Sequence, residues 1–450
     1  MARAKKEAAL TPEERLQAAL VPDWEWPYKL PKNWCWTTVG TICDGFQYGY
    51  TEKATFEKIG PHFIRITDIG DGIINDSGAP YCKIDSDSFI KYKINKDDIL
   101  IARMGSVGEN GLATHNIDGV FASYLIRIVP RSNAKYVCNF LQTNLYWGQI
   151  SEKAQGTTRL NVNANVLKNL IIPLPPLAEQ QRIVDRIEIL FAKIDEAKEK
   201  AQAVVDSFET RKAAILHKAF TGELTAKWRE EHGVGMESWE HHQFSDLCAI
   251  VRGGSPRPAG DPRYYDGNIP FMKVADITRN DSPYVSKVEY SIKEEGLKKT
   301  RKVEANTLLL TNSGATLGVP AITTIRTTFN DGIAAFIGLD IDSLLFYYYF
   351  WTSKTAFLRS INMGAAQPNL NTKLIGEVEI DVPQTAERVE IARVLNALLS
   401  KEQQTKEAAE AVLDQIDLMK KSILARAFRG ELGTNDPSEE SAVKLLKQII

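Results

Sequence analysis

The sequence predicts an α+β fold: two mixed α/β domains joined by two long helices that form an antiparallel coiled coil, arranged as a pseudo-twofold internal repeat. Three observations predict it. A shift of 208 residues lays Gly156–Leu224 on Gly364–Leu432 without a gap and gives 24 identities over 69 positions. Within that stretch, apolar residues recur in alternating steps of four and three, the spacing of a coiled-coil seam. Ahead of each copy, short apolar runs are punctuated by Gly, Asn and Asp, the pattern of small strands between turns.

Each element follows from local chemistry. Residues 1–30 form an extension in which Thr11-Pro12-Glu13-Glu14 is a capping box with proline at the first helical position, so 12–20 is a short helix. Residues 31–177 form the first mixed domain, with extended runs at His62–Ile69, Ile99–Ala102 and Phe121–Val129 and a helix at 136–153. The first long helix occupies 178–221, after the extended Ile171-Ile172-Pro173-Leu174-Pro175-Pro176. Its seam is Ile183, Ile187, Leu190, Ile194, Val204 and Phe208, and Gly222 stands where a left-handed cap would close it. Ala178 to Phe220 as one helix would run about 64 Å. Residues 222–240 read as a linker, and Glu240-His241-His242, at its junction with the next domain, reads as polar linker and not as a metal site.

The second domain, 241–385, repeats the pattern with runs at Phe271–Ile277, Leu308–Leu310 and Ala334–Ile337 and a helix at 343–361. The second long helix, 386–429, carries Ile391, Leu395, Leu398, Val412, Ile416 and Ile423 in the same register, with polar Glu402 and Thr405 at two seam positions. Gly430 is its cap, and 430–450 is a tail. A seam this long needs a partner. Two helices of matching length and register supply one another inside a single chain.

Length and composition bound the function. At 450 residues the chain is too long for one core, and its 44% hydrophobic and 25% charged residues exclude disorder and fibrous repeats. Lys and Arg number 55 against 57 Asp and Glu, so no global basic field exists and any attraction to a polyanion must be local. The five cysteines are scattered, with no CxxC, and read as reduced thiols of a cytosolic protein. The start lacks an apolar h-region, and the longest apolar-aromatic run, Leu344–Trp351, has eight residues, so neither export nor a membrane span is expected.

Catalytic patterns are missing. There is no Walker A sequence, no HExxH and no Asn/Asp-Pro-Pro-aromatic signature of an amino-methyltransferase, and Gly105-Ser106-Val107-Gly108-Glu109-Asn110-Gly111 has the wrong spacing for a dinucleotide loop. Asp195 and Glu196 near Lys198 are solvated pairs on a helix exterior. Between 178 and 231, ten basic residues face eleven acidic ones, so the helices read as a spacer and not as a groove for nucleic acid. What remains is recognition chemistry. Val251-Arg252-Gly253-Gly254-Ser255-Pro256-Arg257-Pro258 is a basic loop able to bring guanidinium groups and backbone amides to a phosphate or a guanine edge. Arg252–Lys302 holds eleven basic residues against seven acidic ones. The equivalent loop of copy one, Gly45–Lys53, is aromatic and amide-rich, and Phe46–Arg131 holds ten basic against eleven acidic.

The repeated phrases resemble those of a known family. Ile171-Ile-Pro-Leu-Pro-Pro-Leu-Ala-Glu-Gln-Gln-Arg-Ile183 has its counterpart in Ile380–Arg388, and Lys212–Thr225 in Lys420–Leu432. The layout is similar to the DNA specificity subunit of type I restriction-modification enzymes over nearly the whole length. Copy two departs at Asp381 and Gln384, where the proline-rich phrase is degraded. The resemblance implies two target recognition domains, each reading one half of a bipartite double-stranded DNA target. It also implies antiparallel spacer helices that dock two methyltransferase (modification) subunits, with restriction/translocase subunits joining for cleavage. It places catalysis elsewhere: no cofactor in this chain, S-adenosylmethionine in the methyltransferase subunit, and ATP and Mg in the restriction subunit. The setting it implies is the cytoplasm of a prokaryote.

With that implied function, loop position selects DNA-contact candidates: Lys53, Arg65, Arg103, Ser106, Tyr124 and Arg159 in copy one, and Arg252, Ser255, Arg257, Lys273, Asn312, Ser313 and Gln367 in copy two. Arg103 and Asn312 are the first choices for base edges, because both follow an apolar strand at its exit. The competing reading is a coiled-coil scaffold whose repeated domains bind protein; a steep loss of DNA affinity with salt separates the two.

Overall fold

Strands of four to six residues that are apolar throughout, without alternation, must be covered on both faces, and this rule organises both halves of the chain. A computed structural model describes residues 11–154, 161–360 and 370–450. It divides into two units: residues 1–200 together with 412–450, and residues 201–411.

In the first unit, a six-stranded sheet runs in the order Cys43–Tyr48, Leu125–Pro130, Ile99–Ala102, Asn110–Leu112, Gly72–Ile74, Ile69–Gly70. Ile99, Ile101, Ile126 and Ile128 face the helices Ala134–Phe140 and Asn144–Ala154 through Tyr136, Phe140 and Tyr146. Leu100, Ala102 and Leu125 face the other way, toward Ile64, Ile94 and Phe121 of a three-stranded sheet. The expected strand Phe121–Val129 is two strands, Ile117–Phe121 and Leu125–Pro130, because a turn intervenes with Leu125 N–H on the Ala122 carbonyl. The short helix Pro12–Ala19 carries both halves of its Thr11/Glu14 capping box.

The second unit repeats the scheme with a five-stranded sheet ordered Ala249–Arg252, Ile333–Ile337, Thr307–Thr311, Pro320–Thr323, Tyr284–Val285. Leu308, Leu310 and Phe336 pack on the helix Leu344–Ser360 through Phe346, Phe350 and Trp351. Leu309 and Ala335 face Met272 and Phe329 on the opposite side. The run Phe271–Ile277 is strand only as far as Met272 and helix from Val274 to Thr278, where the Asp276 carboxylate takes the Lys273 N–H and turns the chain.

The long helices are Leu177–Asp206 followed by Phe208–Phe220, and Thr385–Ala427. The first is interrupted at Ser207, not continuous as expected; the Ser207 hydroxyl donates back to the Ala203 carbonyl, a bond that bends helices. Ile183, Ile187, Phe208, Ile391, Leu395 and Ile416 are buried, Leu190, Ile194, Val204 and Ile423 half-buried, and Leu398 and Val412 exposed. The polar seam position Glu402 is occupied for a reason: it accepts from Arg211 Nε at 2.7 Å. Gly222 and Gly430 take the left-handed conformation, at φ 80° and 76°.

Three further segments depart from expectation. Glu240-His241-His242 is not a linker but part of strand Glu240–Gln243, paired antiparallel with Glu379–Val382, with His241 Nδ1 at 2.8 Å from Asp381. The rest of 222–240 folds onto the second unit. The helix Ala226–His232 buries Arg229, whose Nη1 meets Glu387 at 2.6 Å while Nη2 donates to the Gly222 carbonyl. The tail 430–450 folds onto the first unit: Ala442 and Leu446 of helix Ala442–Ile449 enter the core, and Glu439 forms a bidentate pair with Arg182 at 2.7 and 2.8 Å.

The same residue anchors each helix start. Glu179 accepts from Trp34 Nε1 at 2.7 Å and from Asn435 Nδ2 at 2.9 Å. Glu387 accepts from Trp239 Nε1 at 3.1 Å and from the Thr225 hydroxyl at 2.7 Å. The repeated Ala-Glu dipeptide is therefore a buried clasp, and in each unit the segment following a long helix supplies partners to it: Asn435 for Glu179, and Thr225 and Trp239 for Glu387.

Candidate nucleic-acid interface

In each unit the central apolar strand ends on one of the residues chosen for base reading. Arg103 follows Ile99–Ala102; its N–H donates to the Tyr124 carbonyl at 2.9 Å and its carbonyl accepts from Val162 N–H at 2.9 Å. Asn312 follows Thr307–Thr311; its N–H donates to Gly332 at 2.9 Å and its carbonyl accepts from Leu370 N–H at 2.8 Å. Val162 and Leu370 are separated by the repeat shift, so both backbones are pinned by the same device.

The side chains differ. The Arg103 guanidinium lies 4.7 Å over the Tyr48 ring, and its buried Nε has no hydrogen-bond partner among the described residues. Stacking of this kind orients the fork without consuming its donors. Tyr48 is itself held, its hydroxyl accepting from Ala164 N–H at 3.1 Å. The Asn312 side chain is fully buried, contrary to the expectation that it meets a base edge, and among the described residues neither its Oδ1 nor its Nδ2 has a partner. An unpaired buried amide is costly.

Around Arg103, Tyr124 and Lys53 are exposed, and Ser106 sits in a turn whose Gly105 and Gly108 have φ of 74° and 93°. Arg65 is committed: Nε and Nη2 each meet an Asp68 oxygen at 2.9 Å. Its repeat-shifted counterpart, Lys273, places Nζ 3.1 Å from the Tyr290 ring centroid, while Asp276 takes only backbone N–H groups, from Lys273 and Glu289. Arg159 and Gln367 lie outside the described residues.

The second unit gathers the other candidates around one turn, Asn330-Asp331-Gly332. Arg252 Nε donates to the Asp331 carbonyl at 2.7 Å, the Ser255 hydroxyl donates to Asp331 Oδ1 at 2.6 Å, and Arg257 Nη2 stands 3.5 Å from Asp331 Oδ2. Gly253 and Gly254 are required by close approach, since a Cβ would lie 2.2 Å from the Asn330 carbonyl oxygen and 2.4 Å from that of Lys299. Ser313 Oγ is 2.9 Å from the place of a Cβ on Gly332. Arg257, Ser255, Lys273, Tyr290, Asn330 and Asp331 line a cavity of about 290 Å³. Burial works against ionisation of Asp331, but the Ser255 hydroxyl, its own N–H and the Arg257 and Arg252 charges hold it below the usual carboxylate range.

Sequence reasoning missed Asp331, Asn330, Tyr48 and Tyr290. Loop position points to basic and hydroxyl- or amide-bearing side chains, whereas the organising groups are a carboxylate, an amide and two rings. An Asn-Asp-Gly turn opposite a basic loop is the available signal.

Among the described residues, no group of three or more His, Cys, Asp or Glu is placed to hold a metal ion, and no helix is long and apolar enough to cross a membrane. The cysteines are free; burial pushes the Cys35 and Cys138 thiols up to about 12.

A family model described as type I restriction modification DNA specificity domain matches residues 37–205 and 236–413. The chain belongs to that family. It is 24% identical to the EcoKI specificity subunit of Escherichia coli K12 over 94% of this chain and 96% of that protein. Against the EcoBI specificity subunit of Escherichia coli it is 29% identical over 45% of this chain and 44% of that protein. The fold is similar to the HsdS subunit of Thermoanaerobacter tengcongensis, with a TM-score of 0.65 and 19% identity over 90% of this chain and 99% of that one. It is also similar to a chain solved in work on assembly and conformational transition of the type I restriction-modification system, with a TM-score of 0.61, 20% identity, and 90% and 100% coverage. This family likeness favours the specificity subunit over the protein-binding scaffold.

Proposed function

We propose that this chain is the DNA-reading subunit of a type I restriction-modification complex, each unit recognising one half of a split double-stranded target. The observation that carries the reading is the repeated reader position: Arg103 and Asn312 leave equivalent strands with equivalently pinned backbones. The first unit offers a stacked guanidinium for guanine at that position, whereas the Asn312 amide is fully buried and does not reach a base edge. In the first unit the contact set is Lys53, Arg103, Ser106 and Tyr124, with Arg65 at its margin and Arg159 a candidate from the sequence alone. In the second it is Arg252, Ser255, Arg257, Lys273 and Ser313, with Gln367 a candidate from the sequence alone; Asn312 is buried and drops out of the set.

The long helices act as the spacer, paired antiparallel. Two ion pairs support this: Lys420 with Asp195 at 2.6 Å inside the first unit, and Arg211 with Glu402 inside the second. Two methyltransferase subunits dock on the chain and supply S-adenosylmethionine chemistry on adenine; restriction subunits supply ATP- and Mg-dependent cleavage in the cytoplasm of a prokaryote. This chain supplies the reading.

Mapping methylated adenines in DNA from cells that express the chain with its partners tests the reading. A split motif with a spacer of fixed length is expected, and a continuous motif or none overturns it.

A further inference from the structure

The turn that gathers the second unit's cations carries a carboxylate with acceptor capacity left over. The basic loop does not need Asp331 to hold its place, because Gly253 N–H donates to the Ile333 carbonyl at 3.0 Å and Gly254 N–H to Phe329 at 3.1 Å. In the first unit, the repeat-shifted position is Ser123, which has no carboxylate, and the turn is tied to the corresponding loop by backbone, with Ser123 N–H on the Tyr50 carbonyl and Tyr50 N–H on that of Phe121, both at 2.8 Å. A carboxylate at this turn is therefore an addition to the scaffold. Ser255 occupies Oδ1, whereas among the described residues Oδ2 has only the long 3.5 Å approach of Arg257, whose own side chain is 70% exposed.

Such a pair matches one base pair. In a G·C pair the guanine O6 and cytosine N4 are joined by a hydrogen bond, so the acceptor and the donor that face the major groove lie roughly 2.9 Å apart. A guanidinium forked on guanine O6 and N7 needs a carboxylate beside it to accept from cytosine N4, and Arg257 Nη2 and Asp331 Oδ2 stand side by side at 3.5 Å. At an A·T pair the same arrangement would put the guanidinium on thymine O4 beside the methyl group, away from any N7, and the fork would be lost.

We infer that Arg257 and Asp331 act together as the specificity-determining pair for a G·C base pair in the half-site taken by the second unit. The inference rests on the DNA-reading function proposed above and adds a base identity to it. Asp331 closes the discrimination: Arg257 rewards guanine on one strand, and the carboxylate rejects partners other than an amino group on the other.

The test is selection of duplexes from a randomised pool by the complex of the full chain with its methyltransferase partners, for the unaltered chain, Asp331→Ala, Asp331→Asn and Arg257→Ala. The unaltered chain should select a G·C pair in one half-site. Each variant should lose roughly ten- to hundredfold in preference at that one position, with the other half-site unchanged. Asp331→Asn keeps an acceptor for Ser255, and an unchanged melting temperature for it separates reading from loop support. Equal loss or equal gain across all sequences overturns the inference, as does relaxation at an A·T pair. Absence of any split motif with the unaltered chain would instead count against the DNA-reading function itself.

Discussion

Arg229 and Glu387 form a hydrogen-bonded ion pair at 2.6 Å, with side chains 8% and 1% exposed. Breaking such a pair from one side leaves an uncompensated buried charge. Arg229→Met is expected to destabilise the second unit by about 3–5 kcal/mol, and Arg229→Met with Glu387→Gln should recover much of the loss. Urea unfolding of the full chain measures both; equal stability of single and double variants would show that the pair is not coupled.

The counterpart clasp at Glu179 has no arginine on its carboxylate, and burial raises its pKa against the opposing bonds from Trp34 and Asn435. The folded state therefore holds this proton more tightly than the unfolded chain. Its contribution to stability falls as pH rises from the ordinary glutamate range, about 4.3, through the raised folded value, and returns on acidification. Glu179→Gln should gain stability over the parent at neutral pH, with the gap closing toward pH of about 4. Urea midpoints across that window decide it; a gap that widens on acidification reverses the sign.

Arg103→Ala should cost about 1–3 kcal/mol at a single base position and relax it. Arg103→Lys, which keeps the charge but loses the stacked fork, should relax the same position. Competition among duplexes differing at one base pair gives the profile, and an unchanged profile with uniformly weaker binding would mark a phosphate contact.

Lys273 and Arg65 occupy repeat-equivalent places with opposite commitments. Lys273→Ala should lower the slope of log affinity against log salt by roughly one, whereas Arg65→Ala should change it less, because Asp68 already neutralises that guanidinium. Equal slopes for the two variants would contradict the assignment.

Gly430 and Gly433 separate backbone strain from collision. Both have positive φ, 76° and 70°, but a Cβ on Gly430 would lie 2.5 Å from Pro31 Cγ while one on Gly433 meets nothing within 4 Å. Gly433→Ala should cost about 1–2 kcal/mol from conformation alone, and Gly430→Ala more than that, both by thermal unfolding.

Much of the fold was legible in the sequence where burial is symmetrical. Ile99–Ala102 and Leu308–Leu310 are apolar on both faces, and that leaves an unbroken run that any reading finds. Glu240–Gln243 escaped because only part of His242 is covered, so hydropathy carries no strand signal. The break at Ser207 escaped because the helical pattern continues across it. At the candidate interface, Arg252, Ser255 and Arg257 were found as a local loop, but Asp331 lies more than seventy residues away in sequence, and only folding brings it beneath them.

The buried contacts of residues 434–446 with Asn33, Glu179 and Arg182 impose an order of events during synthesis. Residues 201–411 hold all of the second unit, whereas the first waits for 412–450. At roughly 5–20 residues per second, the ribosome takes about 10–40 s to pass from Lys200 to Val412. During that interval the later-made half can close its core while the earlier-made half still shows Ile183 and Ile187 to water. The N-terminal portion is therefore the last to mature, and it is the portion a chaperone would need to shield.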